Sequence, residues 1–169
     1  MDMNINSDDF VFLPLGGSGE IGMNANLYHY KGRWLMVDLG ISFPDESMPG
    51  VDVVLPDLQF IESRKDKLEA IILTHAHEDH FGAIPYLWKR LSVPVYGTAF
   101  TLALLRRKLS ESRLDYKIPL HELDFNITYD FGPLSIELIQ VTHSVPDPAA
   151  LVLRTEQGAI LHTGDWKFD

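Results

Sequence analysis

Apolar positions in the first forty residues come in short runs cut by turn residues, a pattern of strands rather than long helices. Phe10-Val11-Phe12-Leu13-Pro14-Leu15 reads as one strand, and residues 26–30 and 33–38 as two more on either side of Lys31-Gly32, a two-residue hairpin connection. Residues 40–56 carry Gly, Pro and Asp punctuation and read as a loop; 57–66 reads as a short helix before a strand at 69–73. The pattern then alternates. A helix is expected over 80–91, a strand over 93–96 and a second helix near 98–111, capped by Thr98. Strands follow at 124–130, 134–141, 149–154 and 158–162, with Leu134, Ile136 and Leu138 alternating with polar neighbours as in a half-buried strand. Hairpins mixed with strand–helix units predict an α/β domain whose sheets are covered by helices.

Composition adds bounds. The chain has 169 residues, 46% hydrophobic and 22% charged, enough for one globular domain with its own core. It has no cysteine, so any metal site must use nitrogen and oxygen donors. Residues 1–9 are acidic, lack the apolar run of a signal peptide and are expected to have no fixed structure. No run approaches membrane-spanning length, so a cytoplasmic protein with no membrane partner is the expectation. The chain stops just after a strand-to-loop transition at Thr163-Gly164-Asp165-Trp166-Lys167-Phe168-Asp169, as a portion of a larger architecture would.

The net charge of −10 argues against a generic, charge-driven nucleic-acid binder, although some of the acid belongs to a candidate metal site. Lys89, Arg90, Arg106, Arg107, Lys108, Arg113 and Lys117 fall in one stretch with only Glu111 and Asp115 as acids. Two readings stay open for it: the solvated face of two helices, or a patch facing phosphate.

The candidate chemistry centres on Thr74-His75-Ala76-His77-Glu78-Asp79-His80. An apolar strand ends and releases His75, His77, Asp79 and His80 into a tight loop ahead of a helix. Imidazole and carboxylate suit zinc, manganese or iron, and the loop has donors for two ions side by side. Two other segments share this grammar: 136–141 runs into Thr142-His143-Ser144, and 159–161 into His162-Thr163-Gly164-Asp165. Three strands of one layer ending at one edge would bring His143 and Asp165 to the loop. His162 reads as a strand residue rather than a ligand, and His29 and His121 as surface histidines. Asp38 ends another strand, either as a turn residue or as an acceptor orienting the ligand loop. Gly16-Gly17-Ser18-Gly19-Glu20-Ile21-Gly22 contains G-x-G-x-x-G, but a hairpin rather than a helix follows, which excludes the dinucleotide fingerprint. The loop is a tight turn or a close approach to a phosphate.

The H-x-H-x-D-H loop, His143 and Gly164-Asp165 resemble the metallo-β-lactamase superfamily. The strings 14–22, 38–44, 50–52, 142–147 and 163–169 are similar, more narrowly, to the bacterial ribonuclease J family, the RNA-processing branch with a β-CASP domain. The resemblance covers the chain from residue 10 onward and implies the N-terminal part of an αββα sandwich, incomplete here, with two zinc ions at one edge of its sheets. Manganese is an alternative metal. It implies that His75, His77 and His143 hold the first ion, that Asp79 and His80 hold the second, and that Asp165 bridges both. Asp79, His80 and Asp165 would then be the catalytic residues and Asp38 a supporting acceptor, with Gly17, Ser18, Gly19, Glu20 and Ser144 beside the substrate.

The implied activity is 5′-to-3′ exonucleolytic and endonucleolytic cleavage of RNA, with 5′-monophosphorylated single strands as substrate and a metal-bound hydroxide attacking the phosphodiester. Full-length relatives of this kind are expected to form homo-oligomers. A histidine that completes the second site lies far downstream in the family and has no counterpart in this chain. Two other functions fit the same loop: a thioester or lactone hydrolase of the same fold, and a non-catalytic metal-binding or assembly module.

Overall fold

The computed structural model describes residues 5–168. An antiparallel meander opens the chain: β1 (Val11–Gly16), β2 (Ala25–Tyr30) and β3 (Arg33–Val37). Lys31 and Gly32 take φ of 46° and 76°, the positive values that a tight primed hairpin turn needs. β3 then pairs in parallel with β4 (Leu68–Ile72), β4 with β5 (Val95–Gly97) and β5 with β6 (Leu120–Glu122). These six form one sheet in sequence order. Its crossovers carry α1 (Gln59–Glu62), α2 (Glu78–Phe81), α3 (Ile84–Leu91) and α4 (Ala99–Glu111). A second, antiparallel sheet of order β10-β9-β8-β7 is built from β7 (Thr128–Phe131), β8 (Leu134–Gln140), β9 (Ala149–Thr155) and β10 (Gly158–His162).

The period-two alternation of strand side chains makes two cores. Leu27, Trp34, Met36 and Ile71 face the helices and pack with Ile84, Leu87, Leu91, Leu102 and Leu105. Tyr28, Leu35, Val37 and Ile72 face the other way and meet Leu134, Ile136, Leu138, Leu151 and Leu153 of the second sheet. The central strands of the first sheet are therefore buried on both faces, and the described layers run helix, sheet, sheet.

Several expectations need correction. The helix expected over 80–91 is two, α2 and α3, broken at Gly82-Ala83. A Cβ on Gly82 would lie 2.3 Å from the Glu78 carbonyl, and Pro85, which lacks an N–H, fits the first turn of a new helix rather than the interior of a continuous one. The helix expected over 57–66 shrinks to α1 and a 3-10 turn at Lys65–Lys67. The strand expected over 124–130 starts only at Thr128, because Asn126 takes φ 61°. β6 lies between the helix expected near 98–111 and the strand expected at 124–130, where no element is expected. His29 is buried, not superficial: its Nδ1 donates to the Asp9 carbonyl, and its Nε2 accepts from the Gly32 N–H. Of the acidic N-terminal segment, residues 1–4 lie outside the described residues, while the Asp8 carbonyl accepts from the Gln157 amide. The Thr98 cap forms as expected, its side chain accepting from the Thr101 N–H.

The basic stretch is laced with acids. Lys89 pairs with Asp115, Arg90 with Glu62, Arg106 with Glu122, Arg107 with Glu111 and Lys108 with Glu78. These pairs favour the solvated-face reading over an open phosphate patch.

Candidate metal centre

The ligand loop leaves β4 at Thr74 and turns into α2, with His77 at the extended position before the helix. His143 follows β8, and Asp165 lies three residues past β10. The convergence expected of three strand ends occurs, but not within one layer: β4 belongs to the first sheet, β8 and β10 to the second. The site therefore sits where the ends of two sheets meet. The Ala149 N–H donating to the Thr74 carbonyl stitches the sheets together there, and the Lys167 N–H donating to the Thr142 carbonyl holds the last loop. Gly164 takes φ 55°, and a Cβ on it would lie 2.9 Å from the Ala149 carbonyl, so glycine is needed to bring Asp165 in.

Two donor clusters result, His75–His77–His143–Asp165 and Asp79–His80–Asp165, each with its donor atoms within 4.8 Å of one another. In the first, His77 Nδ1 is 3.0 Å from His75 Nε2 and 3.2 Å from His143 Nε2. A tetrahedral zinc with bonds of roughly 2.0–2.1 Å holds its donors about 3.3 Å apart, so an ion needs only a few tenths of an ångström of expansion. Asp165 is shared: its Oδ2 lies 3.5 Å from His80 Nε2 and 3.6 Å from His143 Nε2. Asp79 Oδ2 stands 3.6 Å from His80 Nε2. The donor set, spacing and shared carboxylate fit two borderline divalent ions.

Asp38 lies beneath the site, fully buried at φ 63°. Its Oδ1 accepts from the Thr74 N–H, and its Oδ2 from the Thr74 hydroxyl at 2.8 Å and from His80 Nδ1 at 2.7 Å. With its proton given to Asp38, the Thr74 hydroxyl is left to accept from His75 Nδ1 at 3.0 Å. These bonds orient both rings with Nε2 toward the clusters: His75 Nε2 is a lone pair, and His80 Nε2 would become one where an ion replaces its proton. Of the two readings of Asp38, the orienting acceptor is the one whose hydrogen bonds are present.

The same contacts set the metal-free electrostatics. Burial, reinforced by the His80 charge, holds the His75 pKa down at about 3. Burial also works against a charge on His80, but Asp38 and Asp165 outweigh it and raise its pKa to about 10. The hydrogen bond with His80 lowers Asp165 to about 2 against the opposing effect of burial. Burial disfavours an ionised Asp38, and the adjacent His80 more than compensates, leaving its pKa lowered.

No hydrogen bond among the described residues joins the glycine loop, residues 16–22, to the six donors. Ser18, Gly19 and Glu20 are exposed, Glu20 caps the Gly17 N–H at 3.1 Å, and Ser144 is exposed next to His143. His162 is a strand residue, its Nδ1 2.8 Å from the Tyr28 hydroxyl. Three residues that sequence reasoning passes over matter here: Thr74, Asn24 and Gly40. Thr74 adjoins the ligand loop and could have been found there. Gly40 carries no local signal, yet a Cβ on it would lie 1.7 Å from the Asp79 carbonyl.

Residues 19–168 match the sequence profile of the metallo-beta-lactamase superfamily. The chain is 49% identical over 166 residues to ribonuclease J of Sinorhizobium meliloti, covering 96% of this chain and 29% of that protein. It is 47% identical over 156 residues to ribonuclease J of Mycolicibacterium smegmatis (92% of this chain, 28% of that one). Against ribonuclease J of Helicobacter pylori the identity is 43%, with 99% and 24% covered. The chain thus spans between 24% and 29% of the length of these relatives. Among solved structures, a protein of unknown function from Enterococcus faecalis superposes with a TM-score of 0.66 at 24% identity, over 86% of this chain and 41% of that one. The metallo-beta-lactamase fold protein YhfI from Bacillus subtilis gives 0.65 at 18% identity, over 94% and 63%. These superpositions speak for the fold alone. With that profile covering most of its length and paired donor clusters where its two sheets meet, this chain belongs to the metallo-β-lactamase superfamily.

Proposed function

We propose that this chain carries the metal centre of an RNA-cleaving hydrolase related to the N-terminal part of ribonuclease J. The observation that carries the reading is the gathering of His75, His77, Asp79, His80, His143 and Asp165 into two clusters sharing one carboxylate. The similarity to ribonucleases J supports RNA as the substrate; the reading takes 5′-monophosphorylated single strands as that RNA, cut in both exonucleolytic 5′-to-3′ and endonucleolytic modes. Zinc is the expected metal, and manganese is accepted by the same donors. Among the described residues no helix is long and apolar enough to cross a membrane. Action in the cytoplasm is part of the proposed reading.

Divalent ions bound at both clusters supply a nucleophile from water at neutral pH and offset charge on phosphoryl oxygens. The chain's own groups do the rest. His75, His77 and His143 hold one position, Asp79 and His80 the other, and Asp165 ties the two together. Asp38 and Thr74 keep the ring lone pairs aimed inward. The glycine loop, with Gly17, Ser18, Gly19 and Glu20, and Ser144 on the other side, flank the face where a phosphate would enter.

With only Asp79, His80 and a shared Asp165, the second position is the weaker. The 169-residue chain is expected to bind one ion tightly and a second weakly, with low nuclease activity. The reading extends to homo-oligomers of the full-length protein. The test is a substrate panel of 5′-monophosphorylated RNA, glutathione thioesters and lactones, with Zn2+ or Mn2+. Slow, metal-dependent cleavage of RNA alone, absent in His77→Ala, is expected. Hydrolysis of a thioester or lactone with RNA left intact would overturn the reading.

A further inference from the structure

Asn24 stands between the glycine loop and β2, and its main chain already ties the loop to the metal centre. Its N–H donates to the Asp79 carbonyl at 2.9 Å, and its own carbonyl accepts from the Gly40 N–H at 2.9 Å. The carboxamide reaches further in. Nδ2 lies 3.2 Å from the Asp79 carbonyl, 3.4 Å from Asp79 Oδ2 and 3.1 Å from His80 Nε2. Both Asp79 atoms are oxygens and accept. This fixes which way the amide points, because its oxygen in that place would confront two oxygens. The other end, Oδ1, is turned toward Gly17, where a Cβ would stand only 2.3 Å away. The carboxamide is thus held between a glycine at φ 85° and two of the three donors of the second cluster.

We propose that Asn24 is a positioning residue for the second metal ion, and that Gly17 is glycine to leave room for its side chain. The inference rests on the metal-centre reading above. An amide has two hydrogens, one for each of the two Asp79 oxygens. The two bonds to the Asp79 carbonyl and carboxylate leave His80 Nε2 available to an ion. Asp79 is partly exposed and has no other side-chain donor than Asn24 among the described residues except the His80 ring. Without the amide, its carboxylate is free to swing toward water before an ion arrives. No hydrogen bond from Asn24 reaches His75, His77 or His143, so the first position is independent of it.

The test is calorimetric titration of the chelator-stripped 169-residue chain with Zn2+ or Mn2+ alone, for the wild type, Asn24→Ala, Asn24→Asp and Gly17→Ala. Thermal unfolding in chelator reports whether each variant is folded. Asn24→Asp keeps the size of the side chain and removes the donor. The expected result is a second-ion affinity weakened about 10- to 100-fold in each variant, with first-ion affinity unchanged, as for loss of groups that orient ligands. Unchanged second-ion binding in Asn24→Ala overturns the inference. So does tighter binding in Asn24→Asp, which would make residue 24 a ligand, or loss of both ions in folded variants, which would make it a general structural support. A wild type that binds one ion removes the second position and this inference together, whereas one that binds none overturns the metal-centre reading itself.

Discussion

Asp38 shows how far a single side chain can organise this site. It spans 36 positions to Thr74 and 42 to His80, and at full burial its carboxylate is satisfied by three donors. Asp38→Asn replaces one acceptor oxygen with a donor facing either the Thr74 N–H or the His80 ring. Metal affinity should fall about 10- to 100-fold, measured by competition with a chromophoric chelator. Unaltered affinity would mean that the ring orientations are set elsewhere. Gly40→Ala is a packing test of the same region. Its Cβ would overlap the Asp79 carbonyl, so a loss of about 2 kcal/mol or more is expected by urea denaturation. The loop from His75 to His80 was legible in the sequence because its donors are neighbours in the chain. Asn24 and Gly40 were not, because they meet Asp79 only after folding, Asn24 across 55 positions.

At the scale of elements, the strands that end in candidate ligands were readable because each apolar run stops at a polar residue able to bind metal. Which sheet each strand joins was not. β4 lies in a parallel environment between β3 and β5, while β8 lies between antiparallel neighbours, and a run such as Leu134–Gln140 carries no mark of its partner. β6 was missed for a related reason: at three residues, with His121 and Glu122 exposed, it is a strand only because β5 offers it hydrogen bonds. Helix termini were clearer where a cap acts. Thr98→Ala removes the acceptor for the Thr101 N–H and should destabilise the chain by about 1 kcal/mol in chemical denaturation. Because α4 contributes no ligand, metal affinity should not change; a loss would show that α4 and the centre are coupled.

For the whole molecule, the metal-free site predicts a pH profile. His75 is neutral in the fold with its pKa near 3 against 6.5 unfolded, so the unfolded chain binds the extra proton between those values, and stability falls as pH drops from 6.5 toward 3. His143 and His162, both lowered by burial, and Asp165, lowered to about 2, act in the same direction. His80 acts oppositely. Its raised pKa contributes stability that is complete below 6.5 and is lost as pH rises through about 10. In chelator, stability from urea melts should therefore peak near neutrality and fall on both sides; a rise from pH 7 to 9 would mean that His80 does not hold its proton between Asp38 and Asp165.

On the proposed function, metal binding would reverse the emphasis, because the proton that His80 holds between Asp38 and Asp165 would give way to an ion. An ion bound to the folded chain alone, at one hundred times its dissociation constant, adds about 2.7 kcal/mol. The central claim is that one carboxylate, Asp165, serves both ions. Metal titration of Asp165→Asn against the wild type tests it most directly. The account predicts two equivalents in the wild type, one tight and one weak, with both weakened together by the substitution. Two equivalents bound by Asp165→Asn with wild-type affinities would contradict it.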